Sequence, residues 1–188
     1  MRVIMTSPKI GLARSVTKAL LAGNEARWRH TIGVAARAEE LAVTVTPEDR
    51  ETLVIAAWLH DIGYSGALAE TGFHPLDGAD YLDRTGWSAR IAALVAHHSG
   101  SAIVAELNGF GRSLAAYPHE ISPVADALTY ADQTTGPLGQ RVDIRSRMDE
   151  VLRRHGTESV QAKAHAVRAP YLLAIADRVT TRLMASVY

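Results

Sequence analysis

Apolar residues along the chain recur at intervals of three or four positions, and no segment alternates apolar and polar residues over a sustained length. The first pattern places side chains on one face of an α-helix, whereas strict alternation is typical of half-buried strands. In the clearest case His30, Val34, Ala38 and Leu41 share one face of a helix predicted over 25–43. The sequence therefore predicts an all-α fold in which His30 points into the core.

Two further helices have recognisable ends. Pro47 suits the first turn of a helix that is predicted to stop near Gly63. The stretch 64–73 has no clear period and predicts a loop. His74 is then expected to be the N-cap residue of a helix whose first turn contains Pro75.

The second half of the chain contains a glycine-rich stretch and a long helix. Residues 99–120 are expected to form an excursion that shapes substrate choice. The last helix is predicted to begin at Pro170, because proline is favoured in a first helical turn. Its apolar stripe consists of Leu172, Ile175, Val179 and Leu183. The stripe is expected to pack against the rest of the domain or against a partner.

Composition limits the classes of partner. With 188 residues, 47% of them apolar, the chain can bury one continuous core. Its 20 basic and 20 acidic residues cancel, so no overall positive field exists to hold a nucleic-acid backbone. The longest apolar run, 53–59, is far shorter than the roughly 20 residues that span a bilayer. We therefore expect a soluble cytoplasmic protein that binds neither long nucleic acid nor a membrane.

Several histidines and aspartates lie inside or beside the predicted helices. They are His30, the pair His60-Asp61, His74, the pair His97-His98 and Asp132. Imidazole and carboxylate groups are ligands of divalent transition metals, and the chain has no cysteine that could replace them. Because buried polar groups without partners are costly, the set predicts a metal site. Periodicity does not choose between His97 and His98, since both lie close to apolar positions of the same helix.

Three segments around these residues resemble a known family. They are 29–35 (RHTIGVA), 56–63 (AAWLHDIG) and 128–132 (LTYAD). Together they resemble the HD-domain superfamily of metal-dependent phosphohydrolases. The resemblance implies a single-domain helical bundle with a metal site in a core that covers about residues 25–135. The rest of the chain, about 140–188, would be a C-terminal helical extension.

The same resemblance implies roles for the polar residues. The first ligand set would be His30, His60, Asp61 and Asp132. In two-metal relatives the carboxylate that matches Asp61 bridges both ions. His74 and His97 match the additional ligands, with His98 as the alternative to His97 or as a proton donor to the leaving oxygen. We expect catalytic roles for Asp61 and His98, and two divalent ions, iron or manganese, with zinc, nickel, cobalt or magnesium as alternatives.

The leading hypothesis is a phosphohydrolase that uses a metal-activated hydroxide on a small nucleotide-like or phosphorylated metabolite. Arg27, Arg29 and Arg141 are candidates for binding outer phosphates, because they lie near His30 or soon after Asp132 in the sequence. Thr134 is expected either to hydrogen-bond a substrate or to cap the end of its helix.

Two alternatives remain at this stage. Relatives with four histidines and two aspartates include di-iron oxygenases that act on phosphonates or cyclitols, and a requirement for iron and oxygen would favour that class. A nucleotide-binding sensor would instead signal to a partner through the apolar stripe of the last helix. Homodimer formation is a further expectation that the sequence leaves open.

Overall fold

The computed structural model describes residues 7–156 and 158–186. Within these ranges the chain is helical and contains no β-strand, apart from an isolated bridge between Thr135 and Arg141. The helices are α1 (Pro8–Leu20), α2 (Glu25–Leu41), α3 (Arg50–Leu59), α4 (His74–Arg84), α5 (Ala89–His97), α6 (Ser101–Leu107), α7 (Gly111–Leu114), α8 (Pro123–Gln133), α9 (Ile144–His155) and α10 (Val160–Ala185). The predicted all-α fold is confirmed.

Helix α3 is the centre of the bundle. Every residue from Leu53 to Leu59 is buried, and α3 packs against α1, α2, α5 and α8. A helix that is apolar on all sides is stable only when neighbours cover all of its faces. Thr17 of α1 donates a hydrogen bond to the carbonyl of Trp58, at 2.7 Å, near the end of α3. This enclosure holds the C-terminal end of α3 in a fixed place.

Capping side chains define where several helices begin. Asn24 accepts a hydrogen bond from the backbone N–H of Arg27, at the start of α2. Ser122 and Ser159 do the same for α8 and α10. Such caps satisfy backbone donors that the first helical turn leaves free. The cap at Asn24 thereby fixes the first two turns of α2, which contain Arg27 and His30.

The last helix differs from its prediction. A start at Pro170 is wrong, because α10 begins at Val160 and continues through Pro170. Ser159 supplies the true N-cap, and Pro170 lies on the exposed side of the helix. A proline within a helix removes one N–H donor and its ring crowds the carbonyl four positions earlier, so the packing of the flanking turns has to keep this helix continuous.

The apolar stripe of α10 is covered by the chain itself. Leu172, Ile175 and Val179 are buried, and they join two apolar clusters built with α8, α9 and the central helices. Asp126 of α8 accepts hydrogen bonds from Arg178 and Arg182, which fixes α10 against α8. These three residues of the stripe therefore pack inside this molecule, and Leu183 is partly buried against the same core. In the ranges described, no helix combines the length and the hydropathy needed to cross a bilayer.

Candidate metal centre

Two residues of the candidate metal centre, His60 and Asp61, lie directly after the end of α3. Helix α3 closes at Leu59, and Asp61 has left the helical conformation, with φ −110° and ψ 10°. The change of direction lets His60 and Asp61 point into one space although they are neighbours in sequence. His60 donates through Nδ1 to the carbonyl of Ala57, at 2.8 Å, and is fully buried. A backbone group at the helix end thus orients the imidazole.

One ligand group joins three elements of the bundle. His30 of α2, His60 and Asp132 of α8 have ligand atoms that all lie within 4.8 Å of one another. His30 Nε2 lies 2.9 Å from Asp132 Oδ1, and His60 Nε2 lies 4.0 Å from the same oxygen. All three side chains are buried. The arrangement is a compact cradle with two imidazoles and one carboxylate.

A second group lies on the other side of Asp61. Its members are Asp61, His74 at the start of α4, and His98 just beyond α5. Asp61 Oδ1 is 3.3 Å from His74 Nε2 and 3.8 Å from His98 Nε2. The other oxygen, Oδ2, faces the first group, 3.2 Å from His60 Nε2 and 3.7 Å from His30 Nε2. The Asp61 carboxylate therefore stands between the two groups with one oxygen turned towards each.

The hydrogen bonds of the histidines show which nitrogen is free to bind a metal. Nδ1 of His30, His60 and His98 faces the carbonyl of Gly136, Ala57 and Val95, respectively. An imidazole that donates from Nδ1 presents a lone pair at Nε2, which is the form that ligates metals. His60 Nε2 is buried and has no hydrogen-bond partner among the described residues. A cation at this position satisfies that nitrogen, so the donor set fits a metal.

Electrostatics also favour a cation. Although burial alone would raise the pKa of Asp61, Arg27 and His60 hold it well below its usual range. Burial would lower the pKa of His60, but Asp61 and Asp132 raise it above the ordinary value. The carboxylates thus remain charged and attract positive charge to His60 Nε2. Burial lowers the pKa values of His74 and His98, which keeps both imidazoles in the neutral form that binds a metal.

Asp132 is held by a turn with an unusual backbone. Ser99 follows α5 with φ 55° and ψ 30°, a left-handed conformation that is rare for residues with a side chain. In this position its hydroxyl donates to Asp132 Oδ2, and Gln133 Nε2 donates to the same oxygen at 2.8 Å. The backbone N–H of Ser99 donates to Thr129 Oγ1 at 3.1 Å. These bonds leave Asp132 Oδ1 directed at the histidines.

Comparison with protein-family models gives a match to the HD domain over residues 27–136, which is more than half of the chain. The chain belongs to the HD-domain family. Membership implies divalent-metal binding and metal-dependent phosphohydrolase-type chemistry. Neither the curated proteins nor the solved structures gave a match.

In the HD-domain chain His98 lies in the second ligand group, where the family resemblance had favoured His97. His97 lies outside both ligand groups, and its Nε2 contacts the carbonyl of Tyr117 at 2.8 Å. Its ring stacks on His119 beside a separate cavity of about 380 Å³. The reason is that α5 ends at His97, after which His98 adopts an extended backbone, with ψ 150°. This break turns the two neighbouring side chains in different directions.

The two histidines provide a matched pair of variants. We expect His98→Gln to weaken metal binding at the second group by at least about tenfold, because it removes one of three ligands. His97→Gln should bind metal like the unchanged protein. Calorimetric titration with Mn²⁺, with unfolding temperatures recorded for both variants, measures the difference. The opposite pattern, loss in His97→Gln alone, would contradict the arrangement described here.

Three of the four substrate residues named from the sequence lie outside the candidate metal centre. Arg29 is exposed and pairs with Glu25, at 2.8 Å, along α2. Arg141 is also exposed and pairs with Glu40 at 3.0 Å. Thr134 donates to the carbonyl of Tyr130 at the end of α8, which is the capping role. Thr134 and Arg141 line a surface cleft outside the metal cavity, and Arg29 lines neither space.

Arg27 is the candidate arginine that does reach the centre. Its Nη1 donates to Asp61 Oδ2 at 2.7 Å, and its guanidinium lies 3.9 Å from the centre of the Tyr64 ring. Tyr64 in turn stacks on His74 with ring centres 3.9 Å apart. Burial opposes the charge of Arg27, but Asp61 raises its pKa above the ordinary value. The stack fixes Arg27, Tyr64 and His74 relative to Asp61.

A cavity of about 290 Å³ opens above the two ligand groups. Asp61, His74, His98 and Asp132 face it. Its remaining polar wall includes three arginines that sequence reasoning did not select, namely Arg147, Arg154 and Arg168. Arg147 and Arg154 are seven positions apart, a spacing that places them on one face of α9. That spacing could have indicated a shared arginine face on α9. It lies outside the HD-like segments, however, so nothing in the sequence placed it near the metal ligands.

Proposed function

We propose that this chain is a metal-dependent phosphohydrolase that acts on a small phosphorylated substrate. The observation that carries the proposal is Asp61, which turns one oxygen to each of two buried ligand groups beneath an arginine-lined cavity. Two divalent ions at such groups would lower the pKa of a water and stabilise charge on the attacking and leaving oxygens of a phosphate ester. The ligand residues proposed are His30, His60, Asp61, His74, His98 and Asp132.

Residues around the centre would orient the substrate. Arg27 lies against Asp61 and lines the cavity, so it can share its guanidinium between that carboxylate and an oxygen of the substrate. Phe73, Pro75 and Val104 cover apolar parts of the same cavity and exclude water from the reacting group. His98 lies in the second ligand group, and its Nδ1 donates a hydrogen bond to the Val95 carbonyl. The proposal therefore gives His98 a ligand role in place of proton donor.

The same donor set of four histidines and two aspartates would serve an oxygen-dependent di-iron enzyme. Its supporting observation is the completeness of the second group, in which His74 Nε2 and His98 Nε2 lie 3.4 Å apart. Hydrolysis is favoured because membership of the HD-domain family implies phosphohydrolase-type chemistry, whereas the arginines of the cavity wall would bind a phosphate or a phosphonate alike. A signalling role is not favoured, since the apolar stripe of α10 is buried within the chain.

Phosphate release under controlled oxygen distinguishes these functions. Protein loaded with Mn²⁺ or Fe²⁺ is incubated with nucleotides, sugar phosphates and phosphonates, with and without oxygen. We expect release from a phosphate ester or anhydride without oxygen, loss of release after chelation, and recovery when the metal is restored. Release from a phosphonate only with iron and oxygen would instead establish the oxidative enzyme. Absence of release under every condition would contradict both.

A further inference from the structure

The cavity has an arginine wall, which we define as Arg147, Arg154 and Arg168. Arg147 and Arg154 come from α9, and Arg168 comes from α10. All three line the cavity whose floor is the metal centre. Arg168 is tied to that floor, because its Nε donates at 2.8 Å to the carbonyl of Ser99, whose hydroxyl holds Asp132. The arginine wall therefore stands directly beside the first ligand group.

The charge of the arginine wall is only partly balanced. Glu150 pairs with Arg147 and lies 3.6 Å from Arg154. Arg168 bonds to the Ser99 carbonyl, which is a dipole without a full charge. Among the described residues that line the cavity, the carboxylates are Asp61 and Asp132, and both belong to the ligand groups. Positive charge thus exceeds negative charge on this side of the cavity.

Burial makes this excess of positive charge unfavourable for the stability of the fold. Arg147 is only 5% exposed, and its Nε has no hydrogen-bond partner among the residues described. Burial lowers the pKa of Arg168 below its ordinary value; the charge of Asp132 opposes this change, and the neighbouring charge of Arg147 adds to it. A buried guanidinium without a full set of partners destabilises a fold. Packing alone does not account for such groups, whereas an anionic ligand in the cavity would supply the missing acceptors.

Building on the function proposed above, we propose that the substrate carries a second phosphate group, which the arginine wall binds while the metal centre holds the phosphate that is cleaved. Guanidinium groups form paired hydrogen bonds with phosphate oxygens, and three of them suit a dianion. The cavity of about 290 Å³ lies just below the usual range for small-molecule sites, so the carrier of the two phosphates is small.

The arginine wall lies outside the segment that matches the HD domain. The HD-domain match ends at residue 136, before α9 and α10 begin. The matched segment supplies all six proposed metal ligands, and the helices beyond it supply the arginine wall. The metal ligands and the proposed site for the second phosphate are therefore assigned to different parts of the chain.

Arg154 allows the cleanest kinetic test, because it is partly exposed while Arg147 is buried. The assay compares kcat/KM for a nucleoside 3′,5′-bisphosphate with that for the matching 5′-monophosphate. We expect the unchanged enzyme to prefer the bisphosphate. Arg154→Gln should reduce this preference about tenfold, since a charged hydrogen bond contributes about that much to binding. Arg154→Lys should restore part of it.

The neighbouring Arg153 is the matched control. It is exposed on α9 and does not line the cavity, so Arg153→Gln removes the same charge from the same helix. We expect its preference for the bisphosphate to equal that of the unchanged enzyme. Equal loss in both variants would show a general field effect and overturn the proposed contact. Hydrolysis without any preference for the second phosphate would overturn the inference and leave the proposed function intact.

A binding measurement keeps the two proposals separate when no substrate turns over. Methylenebisphosphonate and methylphosphonate are titrated into the Mn²⁺-loaded protein by calorimetry. Both probes can contact the metal ions, so the decisive quantity is the ratio of the two affinities. We compare how far Arg154→Gln lowers the affinity for the bisphosphonate relative to that for the monophosphonate. Removal of about tenfold in affinity supports the arginine wall even if hydrolysis fails. An advantage that is identical in Arg154→Gln and Arg153→Gln overturns it.

Discussion

Asp61→Asn is expected to lower kcat/KM for phosphate release by more than about 10³-fold, because one carboxylate serves both ligand groups. Asp61 Oδ1 faces His74, and Oδ2 faces His60 and Arg27. Asparagine keeps the shape of the side chain but presents one oxygen and no negative charge. Metal analysis should show loss of bound metal from both groups, in contrast to the partial loss expected for His98→Gln.

Folding has to be checked separately for this variant. The substitution leaves the buried guanidinium of Arg27 without its carboxylate partner, so a lower unfolding temperature is expected. Circular dichroism tests whether the helices persist. Asp83→Asn, an exposed change on α4, is the control for loss of one negative charge. Full activity in a folded Asp61→Asn protein would remove the basis of the proposed mechanism.

Gly63→Ala is the second change with a large expected effect. A Cβ atom at Gly63 would lie 2.0 Å from the carbonyl oxygen of His74 and 2.8 Å from the N–H nitrogen of Gly78. Both contacts are with the backbone of α4, so no side-chain rotation relieves them. Overpacking of this kind costs about 3 kcal/mol, which corresponds to a fall of about 10 °C in the unfolding temperature. The shift of α4 should also move His74 away from Asp61.

Gly66→Ala is the matched control, since it lies in the same connection and a Cβ there meets nothing within 4 Å. Thermal unfolding followed by circular dichroism gives the stability of each variant. Mn²⁺ titration shows whether the second ligand group is affected more than the first. An unchanged unfolding temperature for Gly63→Ala would show that α4 does not approach Gly63 as closely as described.

Periodicity was sufficient to predict the buried face of α2. His30 follows the same spacing as Val34, Ala38 and Leu41, and all four are buried. The boundaries of the helices were less accessible. Pro170 suggested a start for the last helix, yet α10 begins at Val160, because tertiary packing on α8 and α9 supports the turns on both sides of the proline.

The choice between His97 and His98 depended on a helix end that periodicity does not report. Both residues follow the apolar face of α5, and their different directions result from the extended backbone of His98 after the helix ends at His97. The arginine wall was missed for a different reason. Its members come from two consecutive helices that lie beyond the HD-like segments, and only folding brings α9 and α10 over the metal centre.

The hydrogen bonds of His60 and His98 have a consequence for changes in chain length. Each histidine bonds to the carbonyl of the residue three positions earlier, at the end of α3 or α5. Inserting or deleting one residue in either helix rotates everything after it by about 100°. The imidazole would then leave the centre together with the carbonyl that orients it. Length variation among descendants of this chain should therefore be excluded from α3 and α5 and accumulate at exposed connections such as 85–86, which carry no ligand and do not line the cavity.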